Sequence, residues 1–358
     1  MGTFRGRVDR RGPLSDRQQR ESRAMERTRA VPASLISVWA LLALAGCAEV
    51  KPKDQALEPR TRIYVANESG NSVTVVDGTT FQVIGTVDAR NHSTHDLAVT
   101  RDGKWLFATN LASGRLSVID TDAMETVASI ATGTRTHVVT LTNDNRHAWV
   151  CNIGENNISI IDTKTFRILG TIAVGKGPTG LAFSRDGQFA YVSNQGDKAV
   201  EVIETASHRI IKTIPVGTNP HFLILGPDGR IWGTNTGGTD IYVIDPATQD
   251  KVASLNVGPA PQQIAFGFKG LQGPNAYVTV GGLNKIVVVN ADAKNLRILE
   301  QIDVGQRPNG AWANREGTRV YAVHEVSNDL RVIDTGTSQV IATVPVGRKP
   351  IRVVYHGG

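Results

Sequence analysis

Three of the eight histidines stand at one recurring place in the chain. His95, His137 and His221 each close a five-residue frame resembling V-G-x-x-P, lying just after its last residue and separated by 42 and 84 residues. Thr94 and Thr136 take the place of the proline in the first two frames. His324 replaces the asparagine of a second recurring stretch, and His92 precedes His95 by three residues. Imidazole is a common ligand for zinc, copper and haem iron, and the most frequent acid or base near neutral pH. Ligating one metal ion takes two or more nitrogens within about 2.0–2.1 Å of it. The chemistry therefore turns on whether the fold gathers residues this far apart in sequence.

The elements that would gather them repeat. An alternating apolar strand ends in an acid or amide at Asp77, Asp120, Asp162, Glu204, Asp245, Asn290 and Asp334, at intervals of 43, 42, 42, 41, 45 and 44 residues. Each unit carries four β signals: a strand before an Asp-Gly turn, one like Ala190-Tyr191-Val192-Ser193-Asn194, the anchor strand, and one like Arg209-Ile210-Ile211-Lys212. Asp102-Gly103, Asp186-Gly187 and Asp228-Gly229 mark hairpins, because glycine accepts positive φ at little cost. Four strands every ~40 to 45 residues is the period of a propeller blade. The first unit lacks its first strand, and residues 348–355 supply a spare one after the last unit. The expected fold is all-β: a seven-bladed β-propeller of four-stranded antiparallel blades over residues 61–358, closed by N- and C-terminal strands sharing one blade. Such a join removes the open sheet edge.

These residues resemble the YVTN β-propeller repeat family. Its name-giving pattern is nearly intact at Tyr277-Val278-Thr279, Tyr191-Val192-Ser193-Asn194 and Thr109-Asn110, and the likeness runs over residues 62–355. YVTN relatives occur beside periplasmic quinoprotein and cytochrome systems, so the resemblance implies an accessory role in such a redox system. The stretch Gly217-Thr218-Asn219-Pro220-His221 also resembles the d-type haem propeller of respiratory nitrite reductases, which implies a distal haem role for His221. That domain has eight blades rather than seven, and this chain has no C-x-x-C-H for a c-type haem.

The N-terminus reads as an address. Residues 31–46 are an uncharged, mostly apolar run of 16, directly after Arg27 and Arg29 and directly before Cys47. Sixteen is short of the ~20 apolar residues that a membrane span needs, and the layout is that of a secretory signal. Leu44-Ala45-Gly46-Cys47 resembles the bacterial lipobox, implying lipidation of Cys47. Ala48 in place of aspartate implies sorting to the outer membrane. Translation from Met25 would give a signal of conventional length. Residues 1–46 are thus expected to be signal peptide and residues 47–60 a lipidated tether. Nine arginines against four acids in residues 1–30 supply +5 of the net +6, so the mature surface gives no argument for nucleic acid.

In a propeller the first strand of each blade lines the central channel, and the frames place His95, His137, His221 and His324, with His92 beside them, at one mouth. The first three fall in blades that are not all neighbours, too far apart for one ion unless a larger ligand bridges them. Three readings stay open: transition-metal or haem ligation, a small-molecule or protein ligand, and a solvated polar lining. The leading expectation is a lipid-anchored periplasmic accessory protein that binds a ligand or protein at the channel mouth. Alternatives are a metal or d-type-haem carrier, and a propeller lactonase or lyase. Cys151 reads as a buried inert thiol, the recurring aspartates as turn formers and the recurring asparagines as loop braces. No P-loop, dinucleotide fingerprint, H-E-x-x-H or G-x-S-x-G occurs.

Overall fold

The alternating segments pair into 28 strands, from β1 (Arg62–Asn67) to β28 (Pro350–His356). The structure, a computed structural model, describes residues 61–269 and 273–357, and no helix occurs among them. The signal, Cys47 and the tether lie outside the described residues. Seven four-stranded antiparallel sheets result, as the repeat predicts. One of them has the order β28, β1, β2 (Ser72–Asp77), β3 (Val83–Asp88). There Arg62 pairs with His356, Ile63 with Tyr355 and Tyr64 with Val354, so the last strand completes the first blade.

Burial follows position in the blade. The second strand of each sheet is almost wholly buried, as in β1, whereas outer strands such as β7 (Glu125–Ala131) alternate between exposed and covered residues. The apolar core is divided among adjacent sheets. Trp149 and Cys151 of one blade pack with Leu181, Phe183 and Val192 of the next. Each large apolar side chain so covered contributes about 1.5–3 kcal/mol.

Local chemistry sets the turns. Asp77 accepts the amides of Thr79 and Thr80 at 2.9 and 2.7 Å, and Asp162 does the same for Lys164 and Thr165, which holds both carboxyls below their usual range. The glycine of the V-G frame has a steric reason. A Cβ on Gly347 would lie 2.4 Å from Asn67 Cγ, and one on Gly217 would lie 2.4 Å from Asn235 Nδ2. The asparagine thus lies over the glycine, where it braces the blade: Asn67 donates to the Thr74 hydroxyl at 2.9 Å.

The channel is lined by β4 (Thr94–Val99), β8 (Thr136–Leu141), β12 (Pro178–Phe183), β16 (Pro220–Leu225), β20 (Pro261–Phe268), β24 (Pro308–Ala313) and β28. The residue before each takes left-handed backbone, for example Ser93, Arg135, Asn219 and Lys349 at φ 67°, 55°, 50° and 52°. Each strand then breaks register with its neighbour within its first three residues, as between Thr94 and Leu97 or Pro220 and Leu223. A bulge of this kind re-aims side chains. Here the break spans two residues in most of these strands, such as His95 and Asp96, and one in β12 and β28.

Ending the chain at Val346 removes β28 and exposes the apolar edge of β1. We expect the truncated protein to lose its single sharp thermal transition and to aggregate. An unchanged melting curve would show that the ring does not depend on this join.

Candidate functional site

The first residue of each bulge forms the upper layer of the neck. His95 of β4 and His137 of β8 have ring centroids 4.1 Å apart at an angle of 43°, and His221 of β16 lies edge-on to His137 at 5.3 Å. The structure therefore brings together three of the histidines singled out from sequence. The expectation that separation around the ring keeps them apart does not hold. The channel is narrow enough for side chains from non-adjacent blades to meet at its axis.

Their hydrogen bonding is incomplete. His137 Nδ1–H donates to the Thr179 carbonyl at 3.0 Å, which leaves its Nε2 as a lone-pair acceptor. Nδ1 of His95 and Nδ1 of His221 are buried and have no hydrogen-bond partner. Burial pushes all three imidazoles below their ordinary range. His221 is pushed down to about 4, with His95 adding to the effect of burial. His137 lies well below, with both of its neighbours adding to burial. His95 is lowered by burial against the opposing pull of Glu68 and Asp96. The cluster is neutral at pH 7.

The next residues form a lower layer that sequence reasoning missed. Asp96 of β4 and Arg352 of β28 are buried and joined, Arg352 Nε to Asp96 Oδ1, at 2.7 Å. Asp96 Oδ2 accepts the Val139 amide at 3.0 Å, and Arg352 Nη1 donates to Gln263 Oε1 at 2.7 Å. The guanidinium lies 5.2 Å from the ring centroids of both Phe222 and Trp312. Burial works against the charge of Arg352 and Asp96 supports it. The available signal was a charge inside an otherwise apolar strand, as in His95-Asp96-Leu97-Ala98-Val99 and Ile351-Arg352-Val353-Val354.

Other candidates are placed elsewhere. His324 is not at the neck. It ends β25 (Arg319–His324), fully buried, with Nδ1–H donating to the Asp329 carbonyl at 3.3 Å and lying 2.6 Å from Asp329 Oδ1. A Cβ on Gly305 would lie 2.6 Å from its Cγ, so His324 fills the asparagine's bracing role. Burial raises the Asp329 carboxyl, but the bond and charge of His324, with Arg331, hold it below its usual range. His92 is exposed in the loop before β4. The Cys151 thiol is buried and pushed up by burial, which makes it inert. Glu155 braces the loop, accepting the Thr134 amide at 2.9 Å. Among the described residues no three His, Cys, Asp or Glu side chains are arranged to hold a metal ion.

Repeat, fold and neck define one class of architecture, a seven-bladed β-propeller. Within it, the family model described as YNCE-like beta-propeller matches residues 126–227. Hydrazine synthase of Kuenenia stuttgartiensis is similar in structure, with TM-score 0.69 and 23% identity over 76% of this chain and 92% of that one. The dihydro-heme d1 dehydrogenase NirN, in complex with DHE, has TM-score 0.62 and 17% identity over 82% of this chain and 74% of its own. The periplasmic gluconolactonase PpgL of Pseudomonas aeruginosa has TM-score 0.65 and 19% identity over 82% and 98%. At these identities the likeness is one of fold. No curated protein matches the chain in sequence.

Two predictions follow from the layers. A histidine whose value is lowered by folding binds fewer protons in the native than in the unfolded state. Stability is therefore complete above the unfolded value of about 6.5 and is lost as pH falls from there toward 4, by up to about 1.4 kcal/mol per pH unit for each proton. Urea midpoints between pH 7.5 and 4.5 should fall, and less steeply in His137→Asn. Equal slopes would remove the cluster as the cause. Separately, Arg352→Met leaves Asp96 buried without its counter-charge and should cost about 3–5 kcal/mol. Adding Asp96→Asn should recover a large part of that loss in the same urea titration.

Proposed function

We propose that this chain is a lipid-anchored periplasmic binding propeller whose imidazole neck holds a small polar molecule, in the service of a redox system. The observation that carries the binding site is the pair of buried Nδ1 atoms on His95 and His221 that lack partners beside the His137 ring. A buried polar atom without a partner costs about 1–3 kcal/mol, and a ligand that offers both donors and acceptors would relieve that cost. Neutral imidazoles present lone pairs as well as N–H groups, so they suit an uncharged polar group better than an anion.

The arrangement favours this over the rival readings. Rings 4.1 and 5.3 Å apart leave no gap between them for a macrocycle, so these residues do not fit a haem held among them. An imidazole lowered as far as His137 is a weak base at neutral pH, which argues for recognition rather than proton abstraction. Two of the similar structures are named for redox enzymes, hydrazine synthase and the heme d1 dehydrogenase, and this supports the redox setting. The anchor and the compartment rest on the lipobox-like Leu44-Ala45-Gly46-Cys47.

Protein purified from its own periplasm should carry a small molecule visible by native mass spectrometry. His137→Asn/His221→Asn should lose it by at least tenfold while keeping the far-ultraviolet spectrum. Retention at wild-type level would exclude the neck as the site. In the same cells Cys47→Ser should move the protein from the membrane to the soluble fraction.

A further inference from the structure

The channel opens again at its other end, below the Asp96–Arg352 layer, into a cavity of about 280 Å³. Its walls are apolar, formed by Leu97, Val99, Leu141, Phe183, Ile224 and Trp312. At its floor lies Arg352, 6% exposed, with its guanidinium against Phe222 and Trp312. The cavity is separate from the imidazole neck and on the opposite face, because the histidines begin the channel strands while Val99 and Leu141 end β4 and β8.

The rim on one side is basic. Val99 and Trp312 are shared with a groove of about 1360 Å³ that also contains Arg62, Arg101, Lys104, Arg315 and His356. Two acids face them, Asp102 and Asp122. Asp102 Oδ1 is taken up within its own turn by the Thr100 hydroxyl at 2.5 Å and the Lys104 amide at 3.0 Å, which hold the carboxyl low. Arg62 donates to the Thr121 carbonyl and Arg101 to the Asn143 carbonyl, both uncharged partners. Lys104 Nζ lies 4.9 Å from the Trp105 ring centroid. Cations thus outnumber acids beside an apolar hollow.

We propose that this second mouth is a binding site for an amphipathic monocarboxylate, its hydrocarbon body in the axial cavity and its carboxylate in the basic groove. Volume sets the size of the body. At about 280 Å³ the cavity suits a hydrocarbon body of medium length, for which decanoate is the probe. Burying it drives binding through the hydrophobic effect, and Arg101 and Lys104 select for the negative head. The Arg352–Asp96 pair closes the floor: its charges are already matched, so the tail meets aromatic rings rather than a bare ion.

Isothermal titration calorimetry with decanoate, held below its micelle concentration, tests the assignment on the full chain. Decanoate should bind with one saturable site, 1-decanol at least tenfold more weakly, and acetate not at all. Ile224→Trp, which fills the cavity, should abolish decanoate binding. Arg101→Gln/Lys104→Gln should weaken decanoate by about tenfold and leave decanol unchanged. His137→Asn should leave decanoate binding intact, so failure at the neck and failure at this mouth can be told apart. Thermal melts of each variant confirm folding. Wild-type affinity in Ile224→Trp with a normal melt would overturn the proposal. So would binding only to phosphatidylglycerol vesicles and never to free decanoate, an outcome that would make the face a membrane contact.

Discussion

Hydrogen bonds between Pro350–His356 and Arg62–Asn67 hold the first and last parts of the chain in a single sheet. A four-stranded blade cannot bury both of its faces alone. It must lie between two others, and only a closed ring gives every blade two neighbours. The apolar clusters lie between blades rather than within them, and the two that flank the shared blade are complete only when β28 is in place. The width of the channel follows from the number of blades, and the meeting of three imidazoles follows from that width.

Within the ring a single repeated irregularity creates chemistry. The register break near the start of every channel strand re-aims the side chains there, and those of β4, β8 and β16 bring three imidazoles to the axis. The upper residues are uncharged and polar at most positions, and the lower ones include a matched ion pair set among apolar side chains. Polar groups are thereby stacked in layers on a scaffold whose other positions are plain repeats. Such a scaffold tolerates change at the neck, because the hydrogen bonds that build the blades lie elsewhere.

Much of this could be read from the residues. The anchors from Asp77 to Asp334 gave the blade count, and the spare strand after Val346 gave the closure, because period and turn chemistry are local properties. The frame before His95, His137 and His221 gave their common position. Their separation was misjudged, since sequence spacing reports position around the ring and not the distance across it. His324 was expected at the channel mouth with the others, but its partner Asp329 and its fit over Gly305 keep it inside the blade. Asp96 and Arg352 passed unnoticed because their pairing spans the whole chain. The apolar second mouth is invisible in sequence, being made of ordinary core residues that happen to end their strands at an opening.

The partnership of Asp96 with Arg352 also sets an order of events. The aspartate lies in β4 and the arginine in β28, the first and last of the channel strands. All three imidazoles of the neck precede that arginine in the chain. Without β28 the Asp96 carboxylate would face a gap where its counter-ion sits, and the axis would be open from the side. Docking of β28 is therefore the step at which the pore gains its charge balance and its two ends become distinct.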